Sequence, residues 1–163
     1  MSADNLLAVV FAGFALVVIA CELRRGPEVL TRTTRTIRWL PFTAIALLSI
    51  FMAGRAPHGR HPAAFDFGLT WPDVSRALTK VPHWRSIAVL FLLAVVAVTV
   101  WRLWAAFFLT MAVGVGWELA ECTVVRHYAK LADLVPDALS AVATLLVVWL
   151  LGRLVKGRPD NRA

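Results

Sequence analysis

The chain of 163 residues is 60% hydrophobic and only 17% charged, and its mean hydropathy of +0.72 is too apolar for a water-soluble domain of this length. A formal charge of +7, carried on the connections between apolar runs, orients a membrane protein and calls for no nucleic-acid partner. The two cysteines, Cys21 and Cys122, are too few for a CxxC metal or redox framework and, placed at opposite membrane faces, predict no internal disulfide.

Backbone groups within hydrocarbon must pair inside their own segment, so the continuous apolar runs read as helices rather than as strands of a barrel. The first run is Asn5 to Cys21. Its end, Val18-Ile19-Ala20-Cys21, has the form of a lipoprotein cleavage site, but Met1 to Asn5 contains Asp4 and no lysine or arginine, so it is read as a span and not as a leader. The second is Trp39 to Gly54. The connection that follows, Arg55 to Arg85, is the longest polar stretch and holds Pro57, Pro62, Pro72 and Pro82. The third run, Ser86 to Trp101, and the fourth, Trp104 to Cys122, are interrupted only by Arg102. One unbroken helix would bury that arginine at mid-membrane, so a tight helical hairpin is predicted with its turn at the headgroups. The fifth is Pro136 to Val155. Each spans or nearly spans a core of about 30 Å, which needs roughly 17 to 25 residues. The prediction is an all-α polytopic bundle of five transmembrane helices, one membrane domain over residues 1–163.

Lysine and arginine bias sets the orientation. On one side lie Arg24, Arg25, Arg32, Arg35, Arg38, Arg102, Arg153, Lys156, Arg158 and Arg162, concentrated in short segments. On the other, Arg55, Arg60, Arg76, Lys80, Arg85, Arg126 and Lys130 are spread over longer loops among Asp4, Asp66, Asp73, Glu118, Glu121, Asp133 and Asp137. The first side is expected in the cytoplasm, which puts the N-terminus out and the C-terminus in. Every tryptophan but Trp71 then falls near a span end, as interfacial rings prefer.

This topology gathers polar residues at the non-cytoplasmic end. Glu118 and Glu121, at i and i+3 at the end of the fourth span, share a helix face and can point at the same neighbour. Asp133 and Asp137, at i and i+4, repeat the arrangement around Pro136, which suits a helix's first turn. Four carboxylates near one interface need cations, and Lys80, Arg85 and Arg126 are the candidates, with His83 beside them. Glu118, after Gly114, Gly116 and Trp117, lies just inside the apolar zone and needs a partner. The histidines His58, His61, His83 and His127 fall on the same face, but without an HExxH or similar spacing, so neither metal nor cofactor is expected.

The ordered elements Lys80-Val-Pro-His83, Glu118-Leu-Ala-Glu121, Arg126 and Asp133-Leu-Val-Pro-Asp137-Ala-Leu-Ser140 make residues 80–152 resemble the VanZ-like family of small bacterial membrane proteins. That family typically shows Lys-x-x-His, Glu-x-x-Gln, an arginine, and Asp-x-x-x-Asn-x-x-Gly. Glu121, Asp137 and Ser140 depart from the pattern, and two carboxylates in place of amides make this end more acidic. The resemblance implies a bacterial inner-membrane protein with an envelope-related role, such as handling a lipid or peptidoglycan precursor, and names no reaction.

Three functions fit these residues. In the leading one, Lys80, His83, Arg85 and Arg126 bind an envelope ligand or lipid headgroup, and Glu118, Glu121, Asp133 and Asp137 orient them. A ligand site predicts a water-accessible cavity, whereas a purely structural ion-pair cluster predicts saturated pairing. In the second, an accessory subunit packs against a larger membrane protein complex, using Ala112, Gly114 and Gly116 for close helix approach. In the third, a lipid-linked hydrolase or transferase uses Glu118 or Glu121 as base and His83 as acid. No nucleophile set is legible, so no catalytic residue is assigned.

Overall fold

The computed structural model describes residues 3–25, 32–125 and 127–156. Helices dominate: α1 (Ala3–Arg25), α2 (Arg32–Ile37), α3 (Trp39–Ala53), α4 (Trp71–Leu78), α5 (Val81–Val98), α6 (Leu103–Glu121) and α7 (Leu134–Lys156). Four segments are long and apolar enough to cross a membrane: Asn5–Arg24, Val81–Val98, Leu103–Glu121 and Leu131–Val155. The helix at the second predicted span, α3, is apolar but has 15 residues. It is nearly continuous with α2, since Arg38 between them is helical and its N–H donates to the Thr34 carbonyl. The ladder breaks here because Pro41, in the next turn, has no N–H for the Ile37 carbonyl.

The centre of the bundle is α5, which packs against α1, α3, α6 and α7. Every residue from Leu90 to Ala97 is buried, as expected of a helix that is apolar on all sides and enclosed by others. It begins at Val81 rather than Ser86, with Pro82 in its first turn, where a missing N–H breaks no helical bond. His83, Trp84 and Arg85 therefore stand on a helix, not in the preceding loop.

End-to-end contacts fix alternating directions. At one end Glu22 of α1 accepts from Arg38 Nη1 at 2.7 Å and from the Val100 amide, after α5, at 3.2 Å. At the other, Arg85 of α5 donates to Asn5 of α1, Gly54 after α3 lies against Ala120 of α6, and the Ser140 hydroxyl of α7 donates to the Trp84 carbonyl of α5 at 2.7 Å. Helices α1, α5 and α7 thus run one way, and α3 and α6 the other.

The expected hairpin joins α5 to α6. Its turn opens at Thr99, with φ 88° and ψ 153°, a backbone region that favours glycine, and Arg102 is exposed beside it. Two glycines of α6 meet neighbours inside this bundle. A Cβ at Gly114 would lie 2.9 Å from Asp137 Oδ2, and one at Gly116 would lie 3.0 Å from Ile50 Cδ1.

The stretch 55–80 is more ordered than a polar connection. Its residues Phe65–Asp66 (β1) pair in parallel with Ala129–Lys130 (β2), in the register Phe65 to Ala129 and Asp66 to Lys130. Arg60 forms an antiparallel bridge to Val124 and donates through Nη1 to Thr123 Oγ1 at 2.7 Å and through Nη2 to the Gly54 carbonyl at 3.0 Å. Thr70 caps α4 by accepting from the Asp73 amide. Backbone groups at the end of the bundle need partners, and two loops running side by side supply one another's. Cys21 and Cys122 are both free thiols.

Candidate functional site

Each carboxylate of the predicted cluster has a distinct partner. Asp133, in a 3-10 turn (Leu131–Asp133) ahead of α7, accepts from Lys80 Nζ at 2.5 Å. The Asp133 side chain is nearly enclosed, whereas that of Lys80 remains 41% exposed. Asp137, in the first turn of α7, lies 3.1 Å by Oδ1 from His83 Nδ1, and the His83 ring stands 5.7 Å from the Trp117 ring. Its Oδ2 occupies the space that a side chain at position 114 would take, so the missing Cβ of Gly114 admits a buried carboxylate between two helices.

Among the described residues the two glutamates of α6 share no hydrogen-bond or ion-pair partner, where their spacing allowed one. Glu118, 5% exposed, accepts the Lys130 amide at Oε2, 2.9 Å away. Glu121 accepts the Trp117 indole N–H at 2.6 Å through Oε1 and lies 3.6 Å by Oε2 from His127 Nδ1. The i, i+3 rule places both on one face, but Glu118 turns to the β2 amide while Glu121 folds back on Trp117 of its own helix and toward His127. The partner that Glu118 needs is a backbone amide delivered by β2.

Lys80, His83, Glu118, Asp133 and Asp137 therefore come together where α5, α6 and α7 meet, with Glu121 at the rim. Arg85 is not with them. It follows His83 by two residues on α5 and faces α1, where it donates to Asn5. Arg126 lies outside the described residues. Among the described residues, no group of three or more His, Cys, Asp and Glu is arranged to hold a metal ion.

Several members of the site were not singled out from sequence. Lys130 carries its ammonium 4.4 Å from the centre of the Tyr128 ring, and its pKa is raised, first by a side-chain hydrogen bond with Tyr128 and further by the nearby charges of Asp133 and Asp66. With Asp66 and Glu118 it borders a cavity of about 200 Å³, whose other walls include Phe67, Val115 and Leu134. The parallel register of β1 and β2 sets Asp66 against Lys130, a juxtaposition of residues 64 apart in sequence that no local pattern announces. Ser140, seen only as a departure from a motif, ties the start of α7 to the start of α5. Trp117, read as an interfacial ring, bridges Glu121 and His83.

The arrangement divides into two kinds of chemistry. Lys80–Asp133 and His83–Asp137 are closed pairs that join the start of α5 to the start of α7 and the turn before it. The cavity beside Glu118 is instead walled almost wholly by apolar atoms, with Asp66, Glu118 and Lys130 at its border, suited to an apolar body whose polar end lies at that border. Comparison with known proteins finds no family model, no curated protein and no solved structure that matches the chain.

Proposed function

We propose that the chain is a VanZ-like multi-pass protein of the bacterial inner membrane whose non-cytoplasmic end binds an amphiphilic envelope ligand, a lipid headgroup or lipid-linked precursor, at the cavity bordered by Glu118 and Lys130. The observation that carries this reading is an apolar cavity, walled by Phe67, Val115 and Leu134 among others, with the ionisable residues Asp66, Glu118 and Lys130 at its border. Glu118 would take an N–H or O–H of the headgroup, and Lys130 an anionic oxygen. The ion pairs of Lys80 and His83 would hold the helices that frame the cavity. Beside it, Phe65, Phe67, Leu69 and Trp71 are exposed, and at headgroup depth such rings anchor a loop in the interface.

In this reading α3 is the fifth crossing, the chain starts outside and ends in the cytoplasm, and alternating helix directions support that path. Membrane-impermeant maleimide on intact cells would then label Ser75→Cys and not Arg153→Cys.

The ligand test is purification from native membranes in mild detergent, followed by mass spectrometry of retained lipids and proteins for wild type, Glu118→Gln and Lys80→Met. A lipid-like species retained by wild type and lost from Glu118→Gln is expected. A stoichiometric protein partner kept by all three, with no lipid difference, would replace this reading with an accessory subunit of a larger membrane complex.

A further inference from the structure

A larger cavity lies at the opposite end of the bundle, about 590 Å³, within the range of small-molecule sites. It is enclosed by the end of α1, the α5–α6 turn and the last turns of α7, and its lining includes Leu23, Trp101, Trp104, Trp149 and Arg153. Its charge surroundings are one-sided. Arg24, Arg102 and Arg153 are exposed at this end, and among the described residues Glu22 is its one acid. That carboxylate is buried and engaged by Arg38 Nη1 and by the amide of Val100, itself a lining residue. Among the described residues, an anion entering the cavity therefore meets no free carboxylate.

The geometry points to a binding site for an anionic phospholipid, its phosphate taken by Arg153 and its acyl chain laid against the aliphatic wall that Leu23 begins. Three features favour a lipid over a soluble anion. The wall is mainly apolar, three tryptophan rings border it as rings do at headgroup depth, and basic pockets between helices recognise anionic headgroups. Arg153 is already held in place, with its guanidinium carbon 5.1 Å from the centre of the Trp149 ring, so little ordering is left for binding to supply. Gly152 faces α1 across the cavity margin, where a Cβ would reach Leu23 Cδ2 at 3.4 Å, and a longer side chain there would enter the cavity. This site is separate from the one beside Glu118 and does not depend on it.

The test uses the full chain in neutral detergent, with lipid retention read by native mass spectrometry and the thermal midpoint by tryptophan fluorescence. The probes are dioleoyl phosphatidylglycerol, dioleoyl phosphatidylcholine and glycerol phosphate. We expect one phosphatidylglycerol retained per chain and a raised midpoint, with little effect from the other two. Arg153→Gln should weaken retention about fivefold, the effect of removing one surface cation facing an anionic lipid. Gly152→Leu should abolish retention without changing charge, and Arg76→Gln, an exposed arginine at the other end, should leave it intact. Equal retention of phosphatidylcholine, equal loss from Arg153→Gln and Arg76→Gln, full retention by Gly152→Leu, or stabilisation by glycerol phosphate alone would each overturn the proposal.

Discussion

The two ends of the bundle solve the burial of charge differently. At one end, among the described residues, a single pair, Glu22 and Arg38, is shut away with side chains 6% and 8% exposed, and its carboxylate also holds the amide that follows the strained residue Thr99. Two of the guanidinium nitrogens, Nε and Nη2 of Arg38, have no hydrogen-bond partner among the described residues. At the other end the charges are distributed over several shorter links, and Lys80, Glu121 and His127 keep contact with the surface. The first end concentrates its electrostatics in one interaction that joins three elements. The second divides the load, which leaves Glu118 at the edge of a cavity rather than in a closed ion pair.

The largest consequence falls on the concentrated pair. Glu22→Gln should destabilise the protein by about 3–5 kcal/mol, the cost of leaving a buried charge unpaired, measured by chemical or thermal unfolding in detergent. Lys80→Met, whose ammonium is partly exposed, should cost only about 1–2 kcal/mol. The pair Glu22→Leu with Arg38→Met should recover at least half the loss, since a buried ion pair is often replaceable by apolar side chains. Equal losses from Glu22→Gln and Lys80→Met would erase the distinction between the ends.

The next effect tests the close approach at the distributed end. Gly114→Ala puts a methyl 2.9 Å from Asp137 Oδ2, which must move away from His83 or push α7 outward, at a cost of about 1–3 kcal/mol. Gly116→Ala meets only Ile50 Cδ1, the end of a flexible side chain, at 3.0 Å, so its loss in the same unfolding experiment should be smaller. The reverse order would mean that Asp137 can leave its place freely and that the His83 pair holds little.

Apolar runs made all five of these bundle helices legible, four of them at membrane-crossing length and α3 shorter, because hydrophobic length is a local property of the chain. Residues that act through distant partners were not legible in the same way. Glu22 shares its arginine-rich segment with Glu28, so nothing local marked it for burial; its partners lie 16 and 78 residues away. Arg85 was grouped with the acidic cluster while its helix was taken to start at Ser86. Once α5 begins at Val81, two residues turn the helix by about 200°, and Arg85 faces α1 instead of following His83. The strands β1 and β2, two residues each, are too short to show alternation, so their part in bringing Lys130 to Glu118 left no trace in the pattern.

Relief of strain gives a smaller effect of opposite sign at the first end. Thr99 holds φ 88°, which costs a non-glycine residue about 1–3 kcal/mol. Thr99→Gly should therefore raise stability by about 1 kcal/mol, after glycine's greater freedom in the unfolded chain is subtracted. It should also reduce the penalty of Glu22→Gln if Glu22 serves to hold the strained turn. Simple additivity of the two substitutions would assign Glu22 to Arg38 alone.

The smallest effect is a pH dependence confined to the loops of the second end. His61 lies 2.5 Å by Nδ1 from the Pro62 carbonyl oxygen and 2.8 Å by Nε2 from that of His127. Only the imidazolium donates from both nitrogens, whereas the neutral ring satisfies one carbonyl. The bond to Pro62 first, and then that to His127, raise the His61 pKa above its ordinary 6.5. Because the folded value lies above the unfolded one, the contribution is complete below about pH 6.5 and is lost as pH rises through the folded pKa. Hydrogen exchange, corrected for its intrinsic pH dependence, should show the His61, Ala64, Val125 and Ala129 amides, all bonded between these two loops, less protected at pH 8 than at pH 6. The Val100 amide, bonded to Glu22 at the other end, should not change, and His61→Gln should remove the pH dependence from the loops. A parallel change at Val100 would mean that the whole bundle, not the His61 clasp, responds to the proton.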